Sequence, residues 1–249
     1  MPDSLVRAAL VSLAVQCACS TTQAGIEVEV WSEPLHRSTS EPLPRSASEP
    51  LSSNLGYTVR LEELLWSSSG LALKSCEAAV SRSLQRWFLG TAHAHGAASP
   101  TRLSTSSVES GLAENATWIG TLRPPADAYC GATYSFAPAD SDALGLPRWP
   151  EMLGVTLYAR GTYQAGRDEP RPFELATSAS FNSALEGLTL DVRHEARQVT
   201  LRLVREPAAL FDDLEFSDLE SSSTAPDVLA HTLLRNLGTS TRAVIHEEE

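Results

Sequence analysis

Ile26-Glu27-Val28-Glu29-Val30-Trp31 alternates apolar and polar positions without a break. A period of two sends one set of side chains to a buried face and the other to water, which marks a half-buried β-strand. The same alternation recurs downstream. Tyr57, Val59 and Leu61 interleave with Thr58, Arg60 and Glu62. Leu71-Ala72-Leu73 follows Ser67-Ser68-Ser69-Gly70, a run that reads as a turn. Ala116-Thr117-Trp118-Ile119, residues 129–136, Val155-Thr156-Leu157-Tyr158 and a segment opened by Phe173 and Leu175 continue the series. Leu188, Leu190 and Val192 read as a strand paired with Val199, Leu201 and Leu203, with Asp191, Arg193, Thr200 and Arg202 outward. Gly, Pro, Asn and Asp fill the intervals. Strands in this number, without alternating helical periods, predict a mainly β fold, an antiparallel β-sandwich. One short C-terminal helix is expected. Asp227 caps it, Leu229, Leu233, Leu234 and Leu237 form its apolar face, and Gly238 stops it. A shorter helical turn fits residues 208–214.

Composition narrows the function. The net charge is −12, from 19 Lys and Arg against 31 Asp and Glu. A protein that neutralises phosphates needs the opposite balance, so no nucleic-acid partner is expected. Lys74 is the only lysine, a bias that fits a GC-rich bacterial genome.

Residues 1–19 read as a signal segment of lipoprotein type. An apolar run at residues 8–15 is too short to span a bilayer, and Gln16-Cys17-Ala18-Cys19-Ser20 follows it. Cys19, or alternatively Cys17, is the expected lipidation site. Export to the periplasm or outer membrane follows, with a membrane as partner through the lipid. Residues 20–249 then form a single domain. Within it, Ser-Glu-Pro-Leu occurs at residues 32–35, 40–43 and 48–51, each eight residues after the last. Proline in every unit blocks ladder and helix hydrogen bonds, so residues 32–54 are expected to be an extended insertion with few contacts.

Cys76 and Cys130 are the only cysteines beyond residue 19. In an oxidising compartment they pair as a disulfide; the competing role is thiolate ligation of a soft metal. His93-Ala94-His95 is the sharpest chemical motif. On a strand, residues two apart share a face, about 7 Å apart at Cα. Both imidazoles then reach one ion at about 2 Å, and small neighbours leave room for it; the plainer role is an exposed or core histidine pair. Asp140-Ser141-Asp142 supplies further ligands, and with two imidazoles it suits Zn²⁺ or Cu²⁺. The plainer role for it is a turn ending a strand. Gly-x-Ser-x-Gly, His-Glu-x-x-His and phosphate-loop patterns are absent, so no enzyme is expected.

The stretch from Tyr129-Cys130 to Tyr163 resembles the MbnP-like periplasmic copper-binding proteins. The residues that carry the resemblance are Ala137-Pro138-Ala139-Asp140, Leu146-Pro147, Met152-Leu153-Gly154 and Gly161-Thr162-Tyr163. Leu188-Thr189-Leu190-Asp191 and Ala209-Leu210-Phe211-Asp212-Asp213 extend it. The family's Trp-x-Trp is missing, since Val155-Thr156-Leu157-Tyr158 stands there, so its modified-tryptophan chemistry does not carry over. The resemblance implies export, a β-sandwich and copper as the metal. An exported copper-handling lipoprotein is therefore expected, with a periplasmic redox protein as partner. The competing expectation is a non-catalytic structural or partner-binding surface lipoprotein without metal.

Overall fold

The structure is a computed structural model and describes residues 26–35, 50–76, 99–192, 198–220 and 223–247. Its strands are β1 (Glu27–Ser32), β2 (Leu51–Ser52), β3 (Tyr57–Ser75), β4 (Ser107–Ser110), β5 (Thr117–Leu122) and β6 (Ala128–Phe136). They continue with β7 (Leu157–Ala165), β8 (Arg171–Thr177), β9 (Phe181–Asp191), β10 (Gln198–Arg205) and β11 (Thr241–Glu247). The helix α1 spans Ala225–Thr239. Two sheets pack face to face as a β-sandwich. One has the order β11-β10-β1-β5; the other runs β8-β7-β3-β6-β9, with β2 and β4 also on β3.

The expected alternation sets the inner faces. Val28 and Val30 of β1 and Val199, Leu201 and Leu203 of β10 are buried against Val59, Leu64, Leu71, Leu185 and Leu190 of the larger sheet. The pair β1–β10 is parallel, whereas β1–β5 and β10–β11 are antiparallel. The sandwich is thus antiparallel with one parallel pair, because β10 reaches β1 from across the molecule.

Several local expectations need correction. Residues 67–70 are no turn: β3 runs straight through them for 19 residues. Its first half pairs with β7 and its second half with β6. Ser67 sits where the partner changes, donating its N–H to Thr156 and accepting from Ala137. Gly70 adopts φ +126°, and a Cβ there would lie 1.9 Å from the carbonyl oxygen of Leu103. Serine and glycine serve a crossing point here rather than a reversal.

The expected pairing of Leu188–Leu190 with Val199–Leu203 does not form. β9 pairs with β6 while β10 belongs to the other sheet. Alternation gives a strand its face but not its neighbour.

The insertion at residues 32–54 is anchored at both described ends. Ser32, Glu33, Pro34 and Leu35 are buried, and Leu35 donates its N–H to Gly111. Leu51 pairs with Val59 in β2. A proline tolerates such a dock because its neighbours supply the bonds it lacks. Residues 36–49 lie outside the described residues.

In α1 the N-cap is Thr224, and Asp227 falls in the first turn, where it accepts from Thr177 Oγ1 at 3.1 Å. Gly238 lies inside the helix, not after it. A Cβ there would meet the Phe181 ring at 2.4 Å, so its role is close packing on β9.

Candidate functional site

Three places hold concentrated polar chemistry, and the residues singled out from the sequence are spread unevenly among them. Cys76 and Cys130 are joined, with Cα atoms 5.0 Å apart, so the thiols are not free for a metal. His93, His95, Cys17 and Cys19 lie outside the described residues. Asp140 and Asp142 are both exposed, flanking the turn that follows β6. The pKa of Asp140 is raised, first by partial burial, then by the neighbouring Asp142 carboxyl. Among the described residues no group of three His, Cys, Asp or Glu side chains is gathered at one point.

The second place is the interior of the sandwich. Val199, Leu201, Leu203 and Arg205 share one parity on β10, so the guanidinium enters the core with the aliphatic side chains. It is fully buried. It stacks on Trp66, 4.4 Å from the ring centroid, and its Nη2 lies 3.5 Å from Glu109 Oε2. Its Nη1 donates to Ser32 Oγ at 2.8 Å and to the Glu33 carbonyl at 3.0 Å. Glu109 Oε1 accepts from Ser68, Ser107 and Tyr134 at 2.7, 3.0 and 2.7 Å. Burial, then the nearby Glu109 carboxylate, pushes the Tyr134 phenol far up. Charge, cation–π contact and hydrogen bonds thus tie the two sheets together. Enclosure on all sides makes this a clamp and not a place where a ligand enters.

The third place is the outer face of the four-stranded sheet. Because Val28 and Val30 point inward, Trp31 points outward. It stands directly opposite Trp118 on β5 and Arg202 on β10. Trp118 is 47% exposed, and Trp31 is half-buried. Arg202 pairs with Glu33 at 2.8 Å, and Arg123 pairs with Glu27 at 2.6 Å. Glu29 accepts from Trp31 Nε1 at 3.2 Å and from Gln198 Nε2 at 3.1 Å. The helix packs mainly on β8, β9 and β7 of the other sheet and touches only β11, the edge strand farthest from β5, in this one. Two large aromatics in register on an outer face are unlike the scattered single apolar residues normal on surfaces.

A hollow of about 140 Å³ lies beside Tyr57, Tyr163, Asp168 and Arg171. The Tyr57 hydroxyl there donates to Glu215, so its polar end is already occupied.

Neither the two tryptophans nor Arg205 stood out in the sequence, although parity marks Trp31 and Arg205. Trp31 takes the polar phase of its strand and Arg205 the apolar phase of its own. Glu109 gave no such signal, since β4 is only four residues long.

Comparison with known proteins gives no match to a family model, to a curated protein or to a solved structure.

Proposed function

We propose that the chain is an exported binding protein whose recognition surface is the outer face of β11-β10-β1-β5. The carrying observation is the Trp31–Trp118 pair, held in register with Arg202 on adjacent strands. Aromatic side chains on a rigid sheet offer contact area at little entropic cost, which is why they dominate recognition sites. The Cys76–Cys130 disulfide supports an oxidising compartment. No helix among the described residues is long and apolar enough to cross a membrane. The proposed attachment is a lipid on Cys19 or Cys17, supported by the apolar run at residues 8–15 before them. The test uses Trp118→Ala and Trp118→Gln in the full chain. Both should keep the wild-type melting temperature within a few degrees while retention by envelope material of the source cells falls at least tenfold. Unchanged retention, or collapse of the fold in both variants, contradicts the reading.

A second reading rests on the Asp140–Asp142 pair. Two neighbouring carboxylates are oxygen donors that a divalent cation can bring together. With His93 and His95 they would form a copper site of the kind the MbnP-like resemblance implies, passing the metal to a periplasmic redox protein. Both anchors of residues 77–98 lie at the disulfide end of the larger sheet: Cys76 bonds to Cys130, and Thr101 accepts from Leu73. The aspartates follow the other end of β6. A shared site therefore requires the histidine segment to extend along β3. Calorimetric Cu²⁺ titration of wild type, His93→Ala/His95→Ala and Asp140→Asn/Asp142→Asn decides it. Binding lost in both double variants, and weakened below about pH 6 where imidazoles take up protons, supports the site. Wild-type affinity in either one ends it.

A further inference from the structure

We infer that the Trp31–Trp118 face binds a neutral glycan, with a pyranose ring seated on each indole. The inference rests on the reading of this face as the recognition surface and adds the class of ligand. Three features of the face select that class.

The first is the register. Trp31 and Trp118 are direct partners on neighbouring strands. Neighbouring strands lie about 4.8 Å apart, and Trp31 faces Trp118 across a shift of register between Val30 and Trp31, so the two indoles stand on adjacent strands of one outer face. β5 is the edge of this sheet, so a chain-like ligand can run on past Trp118 without meeting another strand. The electron-rich face of an indole attracts the polarised C–H bonds on one side of a sugar ring, while that apolar side leaves water.

The second is charge. The chain carries −12 overall, and both arginines beside the indoles are already paired with carboxylates. Arg202 is paired with Glu33 and Arg123 with Glu27. Neither arginine is in surplus for a sulfate, phosphate or uronate group. An anionic ligand would compete with a carboxylate at each arginine, and the Glu29 carboxylate is engaged by two neutral donors. An uncharged ligand meets no such cost.

The third is the hydrogen-bonding rim. Fixed polar groups flank the aromatic row. Glu29, Gln198 and Thr121 share the outer face with it, and Glu29 is already oriented by its bonds to Trp31 and Gln198. Carboxylate, amide and hydroxyl groups beside a flat aromatic surface suit the equatorial hydroxyls of a sugar, each of which both donates and accepts.

The test is affinity electrophoresis and calorimetry of the full chain and Trp118→Ala. The probes are hydroxyethylcellulose, soluble starch and galactomannan, with alginate and phosphatidylglycerol vesicles as anionic counterparts, at low and high salt. The expected result is binding of at least one neutral polysaccharide. That binding should change less than twofold between the two salt concentrations, fall at least tenfold in Trp118→Ala, and shift the tryptophan emission to the blue. No binding to any neutral probe overturns the inference. So does binding to alginate or vesicles alone, or a dimer that Trp118→Ala abolishes, which would make the face a self-interface. If envelope retention depends on Trp118 while the neutral polysaccharides neither bind nor compete, the glycan class fails and the recognition surface stands. If retention ignores Trp118, both fail.

Discussion

Arg205 enters the core because its position on β10 leaves it no other direction, and Glu109 makes that tolerable. A buried charge stripped of its partner costs roughly 3–5 kcal/mol. Arg205→Met should therefore destabilise by about that amount in urea titration, since it strands the Glu109 carboxylate. Removing the charge on both sides, in Arg205→Met/Glu109→Gln, should lose less than the sum of the single changes. Additive losses would show that the two side chains do not act as a pair. Asp140 makes the opposite kind of prediction. Its folded-state pKa is raised, by partial burial and then by Asp142. The folded chain thus holds that proton more firmly than the unfolded chain. Stability from this group is present below the ordinary aspartate range and is lost as pH rises through the raised value. Asp140→Asn should melt higher than wild type at pH 7 and no higher at pH 3. A penalty at pH 7 instead would mean that the ionised Asp140 is satisfied by something bound to it.

β3 organises the elements, because it serves β7 with one half and β6 with the other. Gly70 is needed just past the change of partner. Gly70→Ala should cost at least 1–3 kcal/mol from the left-handed φ and the Leu103 carbonyl together, measured by chemical denaturation. The Ser-Glu-Pro-Leu repeats divide likewise by what each one touches. Leu35 of the first unit is in the core, so Leu35→Ala should cost about 2–5 kcal/mol. Deleting residues 40–47 leaves both anchored ends intact and shortens only the connection between them. Leu35 docks near Leu64, through Gly111, and Leu51 docks opposite Val59. Those points are about 17 Å apart along β3, and the six remaining residues reach roughly 20 Å. The deletion should change stability by less than about 1 kcal/mol; a larger loss would show that the middle unit packs. These elements also show what the sequence made legible. Alternation identified most strands and their buried faces, since a face is a local property. It did not identify the partner of β10 or the continuity of β3, because both depend on residues far along the chain. The repeats misled for a related reason: identical tetrapeptides meet different neighbours. Of the candidate site, parity alone pointed to Trp31, and only pairing across β1 and β5 revealed Trp118 beside it.

For the whole molecule, the disulfide and the inter-sheet clamp do separate jobs. The clamp joins the two sheets where β1 and β10 end, at Ser32 and Arg205. The disulfide ties β6 to the residue after β3, closing a separation of 54 residues. In the chain-entropy model a loop of that size contributes about 4 kcal/mol. Reduction should lower the denaturation free energy by about that much without unfolding the chain at room temperature. A change under about 1 kcal/mol would mean that the reduced state keeps the loop closed. The two ties hold the sandwich together, and the outer face of its smaller sheet presents two indoles beside paired arginines. The most direct test of that face as a recognition surface is the binding of Trp118→Ala, measured beside its melting temperature, against envelope material and neutral polysaccharide. The account predicts a melting temperature within a few degrees of wild type and a loss of binding of at least tenfold. Wild-type binding by a folded Trp118→Ala would contradict it.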